Sequence, residues 1–250
     1  MSTKNDPLYV GYLPEGPPEL MPWVRSRVLW IVLGTAAVAA LSALLMNPFA
    51  ASRFEFGEPR AFTGRIEASP VPTLVVPRPN AETGSRFLLV APFKHGADEL
   101  IAGFDGRFVS LEGALIHRNH ATMLELVPGT IRAIEEDATA TTRGPEIAGP
   151  RTFEGEIVDS KCFLGVMKPG ALKPHRACAS LCIRGGIPPV LCVRVADGLA
   201  EYWVLVGPAD EAINEALLPF VAEPVRVSGT AVTYGDLKTL RIDPQTITRL

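Results

Sequence analysis

The 250-residue chain has only four cysteines and four histidines, and no Cys-x-x-Cys-His among them, which excludes covalent haem attachment. No Ser/His/Asp order, paired-carboxylate motif or phosphate-binding glycine loop occurs, so the usual constellations for nucleophilic, acid–base and phosphate chemistry are missing. Basic residues are scattered, the net charge is −3 and aromatics make up only 7%, whereas a nucleic-acid groove needs basic and aromatic residues together. These absences weigh against an enzyme and against a nucleic-acid partner. Long apolar runs are also missing, with one exception.

That exception is Val28–Met46, 19 residues without a charge. At about 1.5 Å per residue such a helix just crosses a hydrocarbon core of roughly 30 Å. A cleaved signal peptide is the competing reading, because the run is Ala-rich and Asn47-Pro-Phe-Ala-Ala-Ser52 offers a cut site. The 24 polar or Pro-rich residues before Arg25 are long for a signal-peptide leader and favour a retained transmembrane helix over 25–50. Arg25 and Arg27 abut the start of the span, which predicts a single-pass protein of the bacterial inner membrane, N-terminus cytoplasmic and C-terminal body periplasmic. The tail 1–24 carries Pro7, Pro14, Pro17, Pro18 and Pro22, a composition that predicts an extended strip rather than a helix. Such a strip is either a plain leader or a docking segment for a membrane partner.

Behind the span the chain repeats itself. Shifted by 116 residues, Arg86–Ile134 lies without gaps on Tyr202–Leu250, with 11 identities in 49 positions, among them Gly113/Gly229 and Pro128/Pro244. Before that block the match resumes at an offset of 91, Phe62-Thr-Gly-Arg-Ile66 on Phe153-Glu-Gly-Glu-Ile157, so the second copy is 116 − 91 = 25 residues longer. Each copy reads as about five short strands with a short helix before the fourth (Ala97–Phe104 and Asp210–Leu218), the pattern of a small Greek-key barrel of OB type. The expectation is a mainly β chain: an N-terminal transmembrane helix followed by two tandem OB-like barrels. The first covers 55–137 and the second 151–250, joined by a linker at 138–150 and the second carrying a Cys/His-bearing helical insert at 159–189.

That insert holds Cys162, His175, Cys178 and Cys182. His175, Cys178 and Cys182 stand at i, i+3 and i+7, one face of a helix, with Pro174 suited to its first turn and Gly185-Gly186 to its end. Three thiols and an imidazole are the donors zinc or copper prefers, so these four residues are the candidate metal ligands. A disulfide from Cys162 to Cys178 or Cys182 is the structural alternative, and a catalytic thiol a third. Cys192 reads as a core residue of the strand PVLCVRV, His117 and His120 as the flanks of a solvated hairpin, and Lys94-His95-Gly96 as a loop.

The segment VDSKC, GVM-P-G, H-R-x-C-A, C-I-x-G-G-I-P-P resembles the signature of an uncharacterised family of membrane-anchored bacterial proteins. The resemblance implies an OB-like domain with a Cys/His site on the export side, and no particular activity. Anchor, absent catalytic motifs and two β domains together suggest a non-catalytic accessory or assembly subunit of a membrane-bound electron-transfer complex, reached through the helix and the Pro-rich tail. The alternative is a periplasmic metal-handling (zinc or copper) or thiol-redox protein acting through the Cys/His cluster.

Overall fold

The computed structural model describes residues 20–45, 52–78, 84–119, 121–135, 144–194 and 200–250. The chain divides into two compact units, Met1–Ala50 and Ala51–Leu250. In the first, helix α1 (Leu20–Leu45) is 26 residues long with no buried side chain, long and apolar enough to cross a membrane by length and composition. It starts within the expected extended tail. Pro22 is its third residue, a position whose N–H has no intrahelical acceptor, so the ring costs the helix nothing there. Tail residues 1–19 and the expected end of the span at 46–50 lie outside the described residues.

The second unit is mainly β. Strands β2 (Arg60–Glu67), β3 (Thr73–Val76), β4 (Ser85–Val90), β5 (Phe108–Arg118) and β6 (Ala121–Leu126) close on themselves: β2 pairs with β3 and β5, β3 with β4, β4 with β6 and β6 with β5. All pairs are antiparallel except β4 with β6. The result is a closed five-stranded barrel, with β1 (Ser52–Phe54) and β7 (Arg132–Ala133) adding to β5. Helix α2 (Asp98–Ile101) lies between β4 and β5. The same ring recurs in β8 (Glu146–Asp159), β9 (Pro189–Arg194), β10 (Ala200–Val206), β11 (Pro224–Tyr234) and β12 (Leu237–Arg241), again with one parallel pair, β10 with β12.

The two rings keep the same register. Gly64 faces Val109 and Gly155 faces Val225; Leu88 faces Met123 and Val204 faces Thr239; Ala114 faces Glu125 and Thr230 faces Arg241. Gly64 and Gly155 are needed for the same reason, since a Cβ on either would sit 2.4 Å from a carbonyl oxygen of the neighbouring strand. The pairing also locates the length difference. Ile66 faces Leu74, 8 residues on, but Ile157 faces Leu191, 34 residues on, so the connection from β8 to β9 is 34 − 8 = 26 residues longer. The next connection is one residue shorter, which restores the offset of 116.

Each barrel has its own apolar interior, built on Ile66, Leu74, Leu89, Val109 and Leu124 in one and Ile157, Leu191, Leu205, Val225 and Leu240 in the other. A third core lies between them, with Val71, Leu88, Val90, Ile116 and Met123 against Val158, Phe163, Leu164, Val204, Val206 and Val232. Successive strand residues point to opposite faces, so Leu88-Leu89-Val90 and Val204-Leu205-Val206 are apolar throughout because both faces are covered. The two halves 55–137 and 151–250 therefore share a core within one unit. Strand β8 begins at Glu146, inside the expected linker, because Ile147 continues the ladder opposite Val232. The helix expected over Asp210–Leu218 is reduced to α4 (Asn214–Leu217) plus a 3₁₀ turn, since Asp210 is held left-handed (φ 65°) and cannot open a helix. His120 lies outside the described residues.

Candidate metal centre

The long β8–β9 connection leaves the barrel at Asp159, the last residue of β8, which has no exposed surface. Its Oδ1 accepts the backbone N–H of Cys162 at 2.8 Å and so opens a tight turn over Cys162–Val166. Cys162, Phe163 and Leu164 are buried there in the core between the barrels. The chain then returns through a 3₁₀ turn, Lys173–His175, into helix α3 (Arg176–Arg184). Gly185 and Gly186 end that helix and admit the first barrel: Gly96 N–H donates to Gly185 O at 2.8 Å, and a Cβ on Gly185 would lie 1.8 Å from Lys94 O. Asn214 closes the helix end by donating to Ile183 O and Ile187 O at 2.7 and 3.1 Å.

These contacts bring Cys162 onto the face of α3. The sulfurs of Cys162, Cys178 and Cys182 all lie within 4.8 Å of one another, and no disulfide links them. Cys162 and Cys182 are buried and Cys178 is half-buried. His175 does not join that triad. It converges instead with Asp159 and Cys162, three buried groups whose donor atoms again lie within 4.8 Å, with His175 Nε2 at 3.0 Å from Asp159 Oδ2. Cys162 is common to both sets.

The first barrel supplies the cation. Lys94, in the loop after β4, donates from Nζ to Cys178 Sγ at 2.8 Å and to Cys182 Sγ at 3.8 Å. That hydrogen bond to Cys178 holds the ammonium pKa above its usual range, against the opposing pull of burial. The loop is itself pinned by Lys161, whose side chain is 2% exposed and whose Nζ donates to Ala91 O (2.8 Å) and Phe93 O (2.7 Å) and pairs with Glu125 Oε2 at 2.5 Å. Between the two buried thiols the proton is unevenly shared. The hydrogen bond to Cys182, then burial and the nearby Asp159, push the Cys162 thiol well above the ordinary range, while the same hydrogen bond holds Cys182 below it.

Three members of the site escape the residue spacing alone. Asp159 and Lys161 stand in the VDSKC motif, and an Asp three residues before a turn is a recognisable capping signal. Lys94 carries no such signal, because its partner lies 84 residues further on. Cys192 is half-buried on β9 against the core between the barrels, and His117 Nε2 lies 3.7 Å from Glu55 Oε1. No protein-family model, curated protein or solved structure matches the chain.

Proposed function

We propose that the chain is a membrane-anchored metal-binding protein that holds a zinc or copper ion on Cys162, Cys178 and Cys182. The observation that carries this reading is the mutual approach of the three sulfurs within 4.8 Å. Thiolates bound to zinc at about 2.3 Å in tetrahedral array stand about 3.8 Å apart, so the three need only a small contraction to share an ion. Lys94 adds a positive charge beside what becomes an anionic sulfur cluster. On this reading α1 is a retained single span of the bacterial inner membrane with its N-terminus cytoplasmic, the two rings are OB-like barrels on the periplasmic side, and 159–189 is the metal-bearing insert.

The test is elemental analysis of the full chain purified in mild detergent under reducing conditions, beside Cys162→Ser and Cys178→Ser. Stoichiometric zinc or copper in the parent and its loss in both variants supports the reading. A metal-free parent that gains none on incubation with Zn(II) or Cu(I) overturns it. The accessory-subunit reading has an observation of its own, the exposed rings of Phe56 and Phe93 at 79% and 84%, apolar groups a partner would cover. Co-purifying membrane proteins, identified by mass spectrometry, would support that role, and a chain isolated alone would count against it.

A further inference from the structure

We propose that the cluster binds two metal ions joined by the sulfur of Cys162, one on Cys162, Cys178 and Cys182 and the second on Cys162, His175 and Asp159. This extends the single-ion reading and rests on it. The observation behind it is the pair of donor sets, each within 4.8 Å and sharing Cys162 alone.

Burial makes the second set demanding. Asp159 is 0% exposed and His175 4%, and an interior carboxylate needs either full hydrogen bonding or a cation. Both nearby lysines are committed elsewhere, Lys161 to Glu125 and two carbonyls and Lys94 to Cys178. One Asp159 oxygen caps the Cys162 turn, and the other has His175 Nε2 as its hydrogen-bonding partner among the described residues. A divalent ion between Asp159 Oδ2, the His175 ring and the Cys162 sulfur would set a positive charge against that buried carboxylate. A thiolate sulfur keeps lone pairs enough to serve two ions, and Cys162 is the one group placed between the sets. Three sulfurs suit a soft ion and a sulfur–nitrogen–oxygen set a borderline one, and zinc accepts both.

The experiment is a Co(II) titration of the full chain in detergent, stripped of metal and kept reduced, followed by optical absorption and electron paramagnetic resonance. Two bridged ions predict sulfur-to-cobalt charge-transfer bands that saturate at two equivalents. The resonance signal should grow over the first equivalent and fall over the second, as the shared sulfur couples the spins. His175→Ala should saturate at one equivalent with its charge-transfer bands retained and no fall in the signal. His175→Gln, which can still hydrogen-bond Asp159, should behave the same, and a circular dichroism spectrum like the parent's shows that both variants fold. Saturation of the parent at one equivalent overturns this proposal and leaves the three-thiol ion standing. Two equivalents with additive signals overturn the bridge. Full two-equivalent binding by both His175 variants overturns the second set, and absence of any charge-transfer band overturns the single-ion reading as well.

Discussion

The two barrels repeat each other strand for strand, yet they treat one pair of equivalent positions in opposite ways. In the second barrel, Asp210 in the loop after β10 takes two hydrogen bonds of 2.6 Å from Arg241 on β12 and a third from the Tyr234 hydroxyl. The positions 116 residues earlier are Lys94 and Glu125, an inverted pair. These two do not meet. Lys161, arriving from the long connection of the second copy, takes Glu125, and Lys94 reaches the thiols of α3 instead. The equivalent positions thus close a local ion pair in the second barrel, whereas in the first both charges engage the long β8–β9 connection. A loop that closes on its own barrel in one copy faces the sulfurs of α3 in the other.

The most severe way to break the comparison is to make the barrels alike. Replacing Ser160–Pro188 by the short connection of the first barrel, Ser69–Val71, removes Phe163, Leu164, Ile183 and Ile187 from the cores, all at most 2% exposed. At about 1.5–3 kcal/mol for each buried side chain, the loss is of the same order as the whole stability of a domain, about 5–15 kcal/mol. The expected outcome is a chain that shows no cooperative thermal unfolding, and a stable chimera would mean that the excursion is mere decoration. Next in size is Lys161→Met. It leaves the Glu125 carboxylate and the Ala91 and Phe93 carbonyls without their donor, a change expected to cost about 3–5 kcal/mol, measured by denaturant unfolding of parent and variant in the same detergent.

How much of this was legible in the residues depends on how local each feature is. The internal match fixed β4, α2, β5 and β6 against β10, α4, β11 and β12, because a shared register carries shared boundaries. The i, i+4 spacing of Cys178 and Cys182 and the following glycines announced α3, and Cys162 does approach it. Two features were hidden. Apolar runs such as Leu88-Leu89-Val90 look alike whether a barrel stands alone or packs on another, so the core between the barrels left no separate mark. Lys94 is set opposite Cys178 by the docking of Gly96 on Gly185 and by Lys161 on the Ala91 and Phe93 carbonyls, contacts between distant segments with no local pattern. His175 fell in with Asp159 rather than with Cys178 and Cys182, because it lies in the 3₁₀ turn ahead of α3 and its ring bonds to the buried carboxylate.

A smaller effect tests the first barrel's lysine directly. With Lys94→Met, the cation beside Cys178 is gone while the barrel keeps its length and apolar stem. In the reduced, metal-free chain the cluster should then react several-fold more slowly with iodoacetamide near neutral pH, since thiolate is the attacking form and a neighbouring ammonium favours it. Alkylation mapped by mass spectrometry at timed intervals gives the rate at each cysteine. An unchanged rate would mean that Lys94 merely rests on the sulfur.

The closed pair makes the smallest prediction, and it concerns acid. Burial alone would raise the Asp210 pKa, but the hydrogen bonds from Arg241 and Tyr234 outweigh it and hold the carboxyl below its ordinary range. A carboxylate with a depressed folded pKa stabilises the fold at pH values above its unfolded pKa of about 4, and that contribution is lost as the pH falls through the lower, folded value. Asp210→Asn lacks the titration, so its disadvantage relative to the parent should be greatest above about pH 4 and shrink toward pH 2. The pair is partly solvated, with side chains 22% and 17% exposed, so the difference attributable to it should stay within about 1 kcal/mol. Thermal melts of both chains from pH 7 to pH 2 measure it. The barrels then make a contrast, because Lys94→Met, its counterpart 116 residues earlier, removes no carboxylate and should leave the acid limb unchanged. Equal acid profiles for parent and Asp210→Asn would mean that Arg241 holds Asp210 in place without shifting its charge.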